Sequence, residues 1–308
     1  MPEIIHKILT RKIGNTGIGF CINPIQLVSP LLLTTILCLV LAAPIIAQII
    51  PSDAFSIDLL NRHMTPSMVH PLGTDELGRD LFLRLLYGGR ISLFVGLLAA
   101  LLTALIGVSI GLCAGYYGGW LDAVLMRITD SVIALPLLPL LIVLAAADLG
   151  KLGLPERILD SPEANVYRII LIISLVGWTS IARLTRASVL SLRNREFVLA
   201  ARSHGATSFN IMLRHILPNS LSPIIVATTL TVGNVILMES VLSFLGLGIQ
   251  PPVPSWGNML TNAQDKIFEY PMAAIWPGLF IFITVISINL LGDTIQTTLD
   301  PKKASKVL

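Results

Sequence analysis

Three long stretches without a single Lys, Arg, Asp or Glu decide what this chain can fold into. They cover residues 13–52, 91–121 and 271–292. An uncharged apolar run of about 18 or more residues is long enough to cross the hydrocarbon core of a bilayer as a helix. Only 13% of the 308 residues are charged, against roughly 25% in soluble domains. The pattern excludes a soluble enzyme, a nucleic-acid-binding module and a disordered tail, and it predicts a polytopic membrane protein.

The apolar runs predict an all-α fold with six transmembrane helices, because a backbone without water must satisfy its own hydrogen bonds. The spans are expected at about 28–50, 91–114, 124–147, 168–190, 222–245 and 273–293. The rest of the chain divides into an N-terminal segment (1–27), an extracytoplasmic segment (51–90), a loop (191–221), a Pro-rich loop (246–271) and a tail (294–308). Segment 240–264 is also uncharged, but prolines and glycines interrupt it, so it is interpreted as the end of a helix followed by a stiff loop.

The distribution of Lys and Arg predicts the orientation of these spans. More of these residues lie on the side of the N-terminal segment, the 191–221 loop and the tail than on the opposite side. Arg183 and Arg186 strengthen the bias, because they lie in the half of the fourth span next to the 191–221 loop. Since positively charged loops stay in the cytoplasm, both termini are expected to be cytoplasmic.

The loop between the fourth and fifth spans has a shape that its residues predict. Good helix formers fill 196–204, and Gly205 is placed to end that helix in a left-handed conformation. Thr207 or Ser208 can cap a second short helix running to about residue 215. Pro218 and Pro223 are then expected to separate this second helix from the fifth span.

Small side chains in the same loop leave room for another protein to approach the backbone. Ala200, Ala201 and Gly205, followed by Leu217-Pro218 at the observed spacing, resemble the "EAA" loop of ABC-importer permeases. In that family the loop forms coupling helices that dock on a separate ATPase subunit. Leu199 stands where the general pattern has Glu and His215 where it has Ile, whereas Glu196 fits the variant of the peptide-importer branch.

Other blocks point to the same branch, and together they cover about 70–301. Segments 73–80 and 84–93 resemble the block before the second span of dipeptide, oligopeptide and nickel importer permeases. Segments 242–248 and 251–257 are similar to the block after the fifth span, and 289–293 with 299–301 resemble the C-terminal signature. Between those last two pieces, Gln296 and Thr297 stand near the place where the family usually has Arg and Asp. The resemblance implies a C-type permease subunit with the type I ABC importer permease fold.

The resemblance also implies a function. The chain would form half of a translocation pathway for dipeptides or oligopeptides, working by alternating access in the bacterial cytoplasmic (inner) membrane. Nickel or another small solute remains an open alternative. An ATP-independent secondary transporter is less favoured, because the sequence shows no internal repeat and few intramembrane charges.

The same resemblance implies the partners. They are a second permease in a heterodimer, two ABC ATPase subunits, an extracytoplasmic solute-binding protein and membrane lipid, with no nucleic acid. No Gly-x-x-x-x-Gly-Lys-Ser/Thr loop occurs in the sequence. The chain is therefore expected to be no enzyme and to hold no cofactor, with ATP and Mg bound by the ATPase subunits. The docking residues would be Glu196, Ala200, Ala201, Gly205, Leu217 and Pro218.

Polar residues inside the expected spans are further candidates, because ionisable groups are costly in a membrane. Glu239 is expected to line the solute path or to pair with a cation of another helix, and Asn234 is a second polar candidate in the same span. Asp130 is expected to form a local ion pair or cap beside Arg127, while Arg183 and Arg186 are expected to face the partner or lipid headgroups. Four glycines of the second span, mostly four residues apart, predict a face for close helix packing, for which a second permease is one candidate partner: Gly96, Gly107, Gly111 and Gly115.

The block at 73–80 has two interpretations. It is a capped turn, with Asp75 as the N-cap of a helix, or an outer surface that shapes the pore mouth or contacts the solute-binding protein through Asp75, Arg79 and Asp80. Trp256 is expected at headgroup level in a rigid interfacial loop, with an extracytoplasmic contact as the alternative. No metal site is expected, because no histidine pairs with Cys or carboxylates at ligand spacing among His6, His63, His70, His204 and His215.

Overall fold

A computed structural model describes residues 24–147, 162–264 and 266–299, and these residues form helices and no β-strand. The predicted all-α fold is confirmed. Expectations for 1–23, 148–161 and 300–308, including the end of the C-terminal signature, lie outside the described residues. The helices are α1 (Pro24–Leu41), α2 (Ala43–Ile49), α3 (Leu81–Tyr117), α4 (Gly119–Ala134), α5 (Leu137–Ala146), α6 (Pro162–Gly177), α7 (Thr179–Leu192), α8 (Glu196–Ser203), α9 (Ser208–Ile211), α10 (Leu217–Phe244), α11 (Trp256–Gln264) and α12 (Met272–Leu299).

Within the described residues, three helical runs are by themselves long and apolar enough to cross a membrane. They are Leu81–Tyr117, Ser208–Phe244 and Met272–Thr298. Three further pairs pass the same test together but are bent, by 57° between α1 and α2, by 88° between α4 and α5, and by 43° between α6 and α7. When each bent pair counts as one span, the described residues contain the six crossings that the sequence predicts.

The bends follow from local backbone chemistry. The third span was expected as one helix over 124–147, but α4 ends at Ala134 and Leu135 is extended, with ψ at 136°. Leu135 precedes Pro136, and a residue before proline is excluded from the helical region by a clash with the proline ring. Pro44 similarly lies in the first turn of α2, directly after the bend of the first span.

Two helices extend beyond the spans expected from hydropathy. The second span begins at Leu81 rather than at residue 91, since Asp80 caps it by accepting a 2.8 Å hydrogen bond from the backbone N–H of Leu83. The last helix continues to Leu299, past the expected end at residue 293. Polar residues at a helix end do not stop the helix, so the apolar run underestimates its length.

The expected break between the 191–221 loop and the fifth span is wrong. Residues Ser208–Phe244 form one continuous helical run, in which a π-helical turn at Met212–Ile216 joins α9 to α10. Pro218 is the second residue of α10 and follows the π-helical turn directly, and such a turn accommodates a local irregularity within a helical run. The side-chain amide of Asn219 donates to the carbonyl of His215 at 2.6 Å, which supplies a local hydrogen bond in this widened turn.

Close contact between α3 and α7 lies at the centre of the bundle. A Cβ atom on Gly107 would lie 2.7 Å from the carbonyl oxygen of Trp178, and one on Gly111 would lie 2.6 Å from that of Ala182. The predicted face of small residues therefore exists, since glycine allows two backbones to approach closely. Gly96 packs against Ile236 of α10, however, and the other three glycines pack against the α7 side of the same chain, so this face is not free for a second permease.

Gly111→Ala tests this contact. We expect a destabilisation of about 1–3 kcal/mol, because the added methyl group must push α7 away. Gly278→Ala in α12 is the matched control, since a Cβ there meets no atom within 4 Å. The thermal unfolding midpoint of the purified protein in detergent should fall for the first variant only, and equal midpoints would contradict the proposed packing.

Candidate functional site

The loop at 191–221 forms a helical hairpin, which consists of α8, α9 and the π-helical turn (residues 196–216). Helix α8 ends at Ser203, and Gly205 follows with φ of +81°. The hydroxyl of Thr207 then accepts a 3.4 Å hydrogen bond from the backbone N–H of Asn210 at the start of α9. The predicted first helix, the left-handed glycine and the Thr207 cap are therefore all present.

Buried apolar side chains attach the hairpin to one end of the bundle. They form a cluster between the hairpin and the ends of α3 and α7, made of Leu112, Tyr116, Val189, Val198, Ile211, Met212 and Ile216. Arg202 lies over the ring of Tyr116, with the guanidinium carbon 5.7 Å from the ring centroid. Arg193 also donates a 3.0 Å hydrogen bond to the carbonyl of Gly115. The cluster and the Arg202 contact hold the hairpin against α3 and α7, and the Arg193 bond joins the ends of these two helices.

The opposite surface of the hairpin exposes several large apolar side chains. Phe209 is 67% exposed, and Phe197 and Leu199 are also exposed. Of the expected docking residues, Glu196, Ala200, Gly205 and Pro218 are exposed, whereas Ala201 and Leu217 are half-buried against the anchoring cluster. A Cβ on Gly205 would meet no atom within 4 Å, so no neighbour in this chain excludes a larger side chain there. Glycine is favoured at this position only by its positive φ. Exposed apolar side chains around small ones are typical of a protein-binding surface.

Glu239 lies at the other end of the run that begins in the hairpin, and it is fully buried. Its carboxylate accepts a 3.1 Å hydrogen bond from the hydroxyl of Ser92 and a 2.7 Å bond from that of Ser243. The Ser92 hydroxyl in turn accepts a bond from the backbone N–H of Trp256, and that of Ser243 accepts one from the N–H of Ile249. Glu239 therefore fastens α3 and the Pro-rich loop to α10.

This geometry differs from both expectations for Glu239. Within the described residues its partners are hydroxyl groups rather than a cation of another helix, and its side chain has no surface on an open path. Asn234, the second polar candidate in the same helix, is exposed. Sequence reasoning treated the two alike and missed Ser92, because a serine in an apolar run gives no signal of its partner.

The block at 73–80 is an interior ion cluster. The Asp75 carboxylate pairs with Arg79 at 2.7 Å and with Arg84 at 3.2 Å, and it also accepts from the backbone N–H of Leu77. The expected N-cap role of Asp75 is wrong, since Asp80 caps α3. Asp75, Arg79 and Asp80 are all buried, so their side chains offer almost no surface to a solute-binding protein.

Asp80 joins this cluster to the segment that precedes it. Its second carboxylate oxygen lies 2.9 Å from Nδ1 of His70 and accepts a 3.1 Å bond from the hydroxyl of Ser52. An Asp directly before an apolar helical run is a recognised start signal, and this signal would have identified Asp80 from the sequence.

Trp256 lies in the interior rather than at headgroup level. It is fully buried at the start of α11, and its indole N–H donates a 2.9 Å hydrogen bond to the carbonyl of Leu85. Gly89 provides the space, since a Cβ there would lie 2.7 Å from the indole ring. The Pro-rich loop thus folds back into the bundle, and an extracytoplasmic contact through this side chain is not available.

Two ion pairs connect α4 to α7. Arg186 forms a bidentate pair with Asp122, with one hydrogen bond of 2.6 Å, and Arg183 pairs with Asp130 at 2.5 Å. Both arginines were expected to face a partner or headgroups, and Asp130 was expected to pair locally beside Arg127. Both carboxylates lie within α4, which packs against α7, and their arginine partners both lie in α7.

Glu239→Ala tests the buried network. We expect the thermal unfolding midpoint to fall by the equivalent of about 1–3 kcal/mol, because two buried hydroxyl groups lose their acceptor. Glu239→Gln, which keeps the shape and one acceptor, should lose less. Asn234→Ala in the same helix is the control and should leave the midpoint unchanged. A path-lining role for Glu239 would instead lower solute uptake without lowering stability.

Comparisons with known proteins agree with this architecture. The sequence profile of the family described as binding-protein-dependent transport system inner membrane component matches residues 107–305. Two solved structures share the fold, each at 17% identity over 70% of this chain. They are the MetNI methionine ABC transporter in inward-facing conformations (TM-score 0.56, 96% of that chain) and an amino acid ABC transporter with histidines (TM-score 0.51, 94% of that chain).

Curated relatives match over most of the chain. The dipeptide transport system permease protein DppC of Alkalihalophilus pseudofirmus is 37% identical, covering 92% of this chain and 88% of its own. The oligopeptide transport system permease protein OppC of Bacillus subtilis is 37% identical (91% and 86%). The glutathione transport system permease protein GsiD of Escherichia coli is 42% identical (87% and 84%). The chain belongs to the family of binding-protein-dependent transport system inner membrane components, and it is a multi-pass permease subunit of the ABC importer type.

Proposed function

We propose that this chain forms half of the translocation pathway of an ATP-driven importer for small peptides. Its relatives carry names that refer to dipeptides, oligopeptides and glutathione, which are all short peptides. The observation that carries the proposal is the exposed apolar hairpin at 196–216, which is anchored on α3 and α7 and is continuous with α10. A surface of this kind suits the transmission of force from a separate subunit.

The partners in this proposal are a second, non-identical permease, two ABC ATPases that bind ATP and Mg, and an extracytoplasmic solute-binding protein. The hairpin then faces the cytoplasm and both termini lie on that side, in agreement with the positive charge of the 191–221 loop. Glu196, Ala200 and Gly205 lie on the surface that meets the ATPase, together with Phe209.

Alternating access follows from the continuity of the helices. When the ATPases close, they displace the hairpin, and the helical run Ser208–Phe244 moves with it because no break separates the two. The anchoring cluster passes the same motion to α3 and α7. The permease alternates between a state open to the cytoplasm and a state open to the other side of the membrane. The ATPases shift this equilibrium by the difference between their binding free energies for the two states.

Gly205→Asp tests the docking surface, and Gly246→Asp is its matched control. Both glycines have positive φ values, +81° and +75°, and a Cβ on either meets no atom within 4 Å. The backbone strain is therefore similar, at about 1–3 kcal/mol. We expect Gly205→Asp alone to lose co-purification with the ATPase subunits and ATP-driven uptake into vesicles.

A second variant keeps this test decisive if Gly205→Asp folds poorly. Phe209→Ser removes an exposed side chain without straining the backbone, and we expect about tenfold weaker association with the ATPase. Met68→Ser, at a residue that is 99% exposed in segment 51–90, should have no effect. Normal ATPase association in both hairpin variants would overturn the docking role.

The peptide assignment is tested by uptake with the complete transporter. The chain, its partner subunits and their binding protein are reconstituted in vesicles, and labelled dipeptides, oligopeptides, glutathione and nickel chelates are offered in turn. We expect ATP-dependent accumulation of at least one of the peptides and none of the nickel chelates. Transport of nickel alone, with normal ATPase coupling, would contradict the peptide proposal and leave the permease role intact.

A further inference from the structure

A cavity of about 680 Å³ opens on the side of the bundle, at the end opposite to the hairpin. Helices α1, α3 and α6 and the Pro-rich loop form its walls. Most of its lining is apolar, including Leu37, Leu41, Leu93, Leu97, Val166 and Val253. At one edge Phe55 packs against Tyr87, with 5.3 Å between the ring centroids. The network around Glu239 and Trp256 does not contribute to it.

Two charged side chains of opposite sign line this cavity, Arg90 from α3 and Glu163 from α6. Both are exposed. Within residues 24–147, 162–264 and 266–299, neither has a hydrogen-bond or ion-pair partner, and they do not pair with each other. The cavity therefore presents one unpaired cation and one unpaired anion beside an apolar wall.

The position of these charges along the helices corresponds to the headgroup layer. At 1.5 Å per residue, the part of α3 from Arg90 to its end at Tyr117 is about 40 Å long. The bent pair α6 and α7, from Glu163 to Leu192, spans about 40 Å by the same measure once its 43° bend is included. A bilayer is about 30 Å thick in its hydrocarbon core and about 40–45 Å with its headgroup regions. With the hairpin at one surface, both charges lie near the other.

From each charged residue, exposed apolar side chains follow the helix surface towards the middle of the membrane. On α3 they are spaced three or four residues apart: Phe94, Leu97, Leu101 and Leu105. On α6 they are Tyr167, Leu171 and Leu175. The stripe from Phe94 to Leu105 is about 16 Å long at the helical rise, close to the depth of about 15 Å of one leaflet of the hydrocarbon core.

We propose that this cavity binds one phospholipid whose headgroup carries a protonated amine, of the phosphatidylethanolamine class. Arg90 donates charge-assisted hydrogen bonds to the phosphate, and Glu163 accepts from the ammonium group. The acyl chains lie along the two apolar stripes. A zwitterionic headgroup matches a site with one charge of each sign, whereas an anionic lipid without the amine would leave Glu163 unpaired in the headgroup layer.

Native mass spectrometry of the full chain, purified with its partner subunits from lipid nanodiscs, tests the site. The nanodiscs contain phosphatidylethanolamine, phosphatidylcholine or phosphatidylglycerol. We expect one retained lipid, with phosphatidylethanolamine preferred. Arg90→Gln should lower its retention about tenfold, the loss expected for a charge-assisted hydrogen bond. Glu163→Gln should abolish the preference over phosphatidylcholine while phosphate-dependent binding remains.

Arg127→Gln is the control for loss of an exposed arginine, since Arg127 is exposed on α4 and does not line the cavity. It should retain the lipid as the unchanged protein does. Equal retention in Arg90→Gln and Arg127→Gln would overturn the proposal. So would a cross-link from Leu97→Cys to the second permease, with the native cysteines replaced, because the cavity would then be an interface between subunits.

Discussion

The close approach of α3 and α7 is the constraint on which the rest of the bundle depends. Lipid chains are as apolar as the side chains, so helices in a membrane associate through tight packing rather than through exclusion of water. Gly107 and Gly111 allow α7 to lie against the backbone of α3, where a methyl group would overlap a carbonyl oxygen. The hairpin is then anchored on the ends of these two helices. A shift between α3 and α7 would therefore displace the surface that the proposed function assigns to the ATPase.

Polar contacts hold the remaining helices around this pair. At the hairpin end, Asp122 and Asp130 attach α4 to α7 through their arginine partners. At the opposite end, Glu239 joins α10 to α3 and to the Pro-rich loop. The helical run Ser208–Phe244 connects the two ends without a break. In the proposed mechanism, movement at the hairpin would pass along this helical run to a buried polar network, and two-state rocking of rigid bodies is a common form of switching.

The sequence predicts the number and order of the spans and the form of the hairpin, because these depend on local patterns. Long uncharged runs predict the spans, and Gly205 with Thr207 predicts the turn between the two helices of the hairpin. It does not predict that the run continues past Pro218, since proline stops a helix only where its missing hydrogen bond cannot be replaced. A fixed break at Pro136 is visible in the sequence, but its 88° angle depends on how α5 packs.

The candidate sites were harder to predict, because hydropathy cannot separate an interior position from one that faces lipid. Leu93 and Phe94 are adjacent and equally apolar, yet the first is buried and the second exposed. The same ambiguity affected Trp256, which was expected at headgroup level and lies in the interior. Only the packing of distant segments determines which residues of an apolar run meet one another.

The charged residues follow a single physical rule. An ionisable group in or near a membrane is costly unless it has a partner, and Asp75, Arg84 and Glu239 find theirs inside the chain. These side chains are buried and already paired, so they stabilise the fold and have no surface left to contact a solute. Arg90 and Glu163 have no such partner among the described residues, although they line the same cavity. The proposed lipid would offer its phosphate to Arg90 and its amine to Glu163, so that one headgroup satisfies the two charges together.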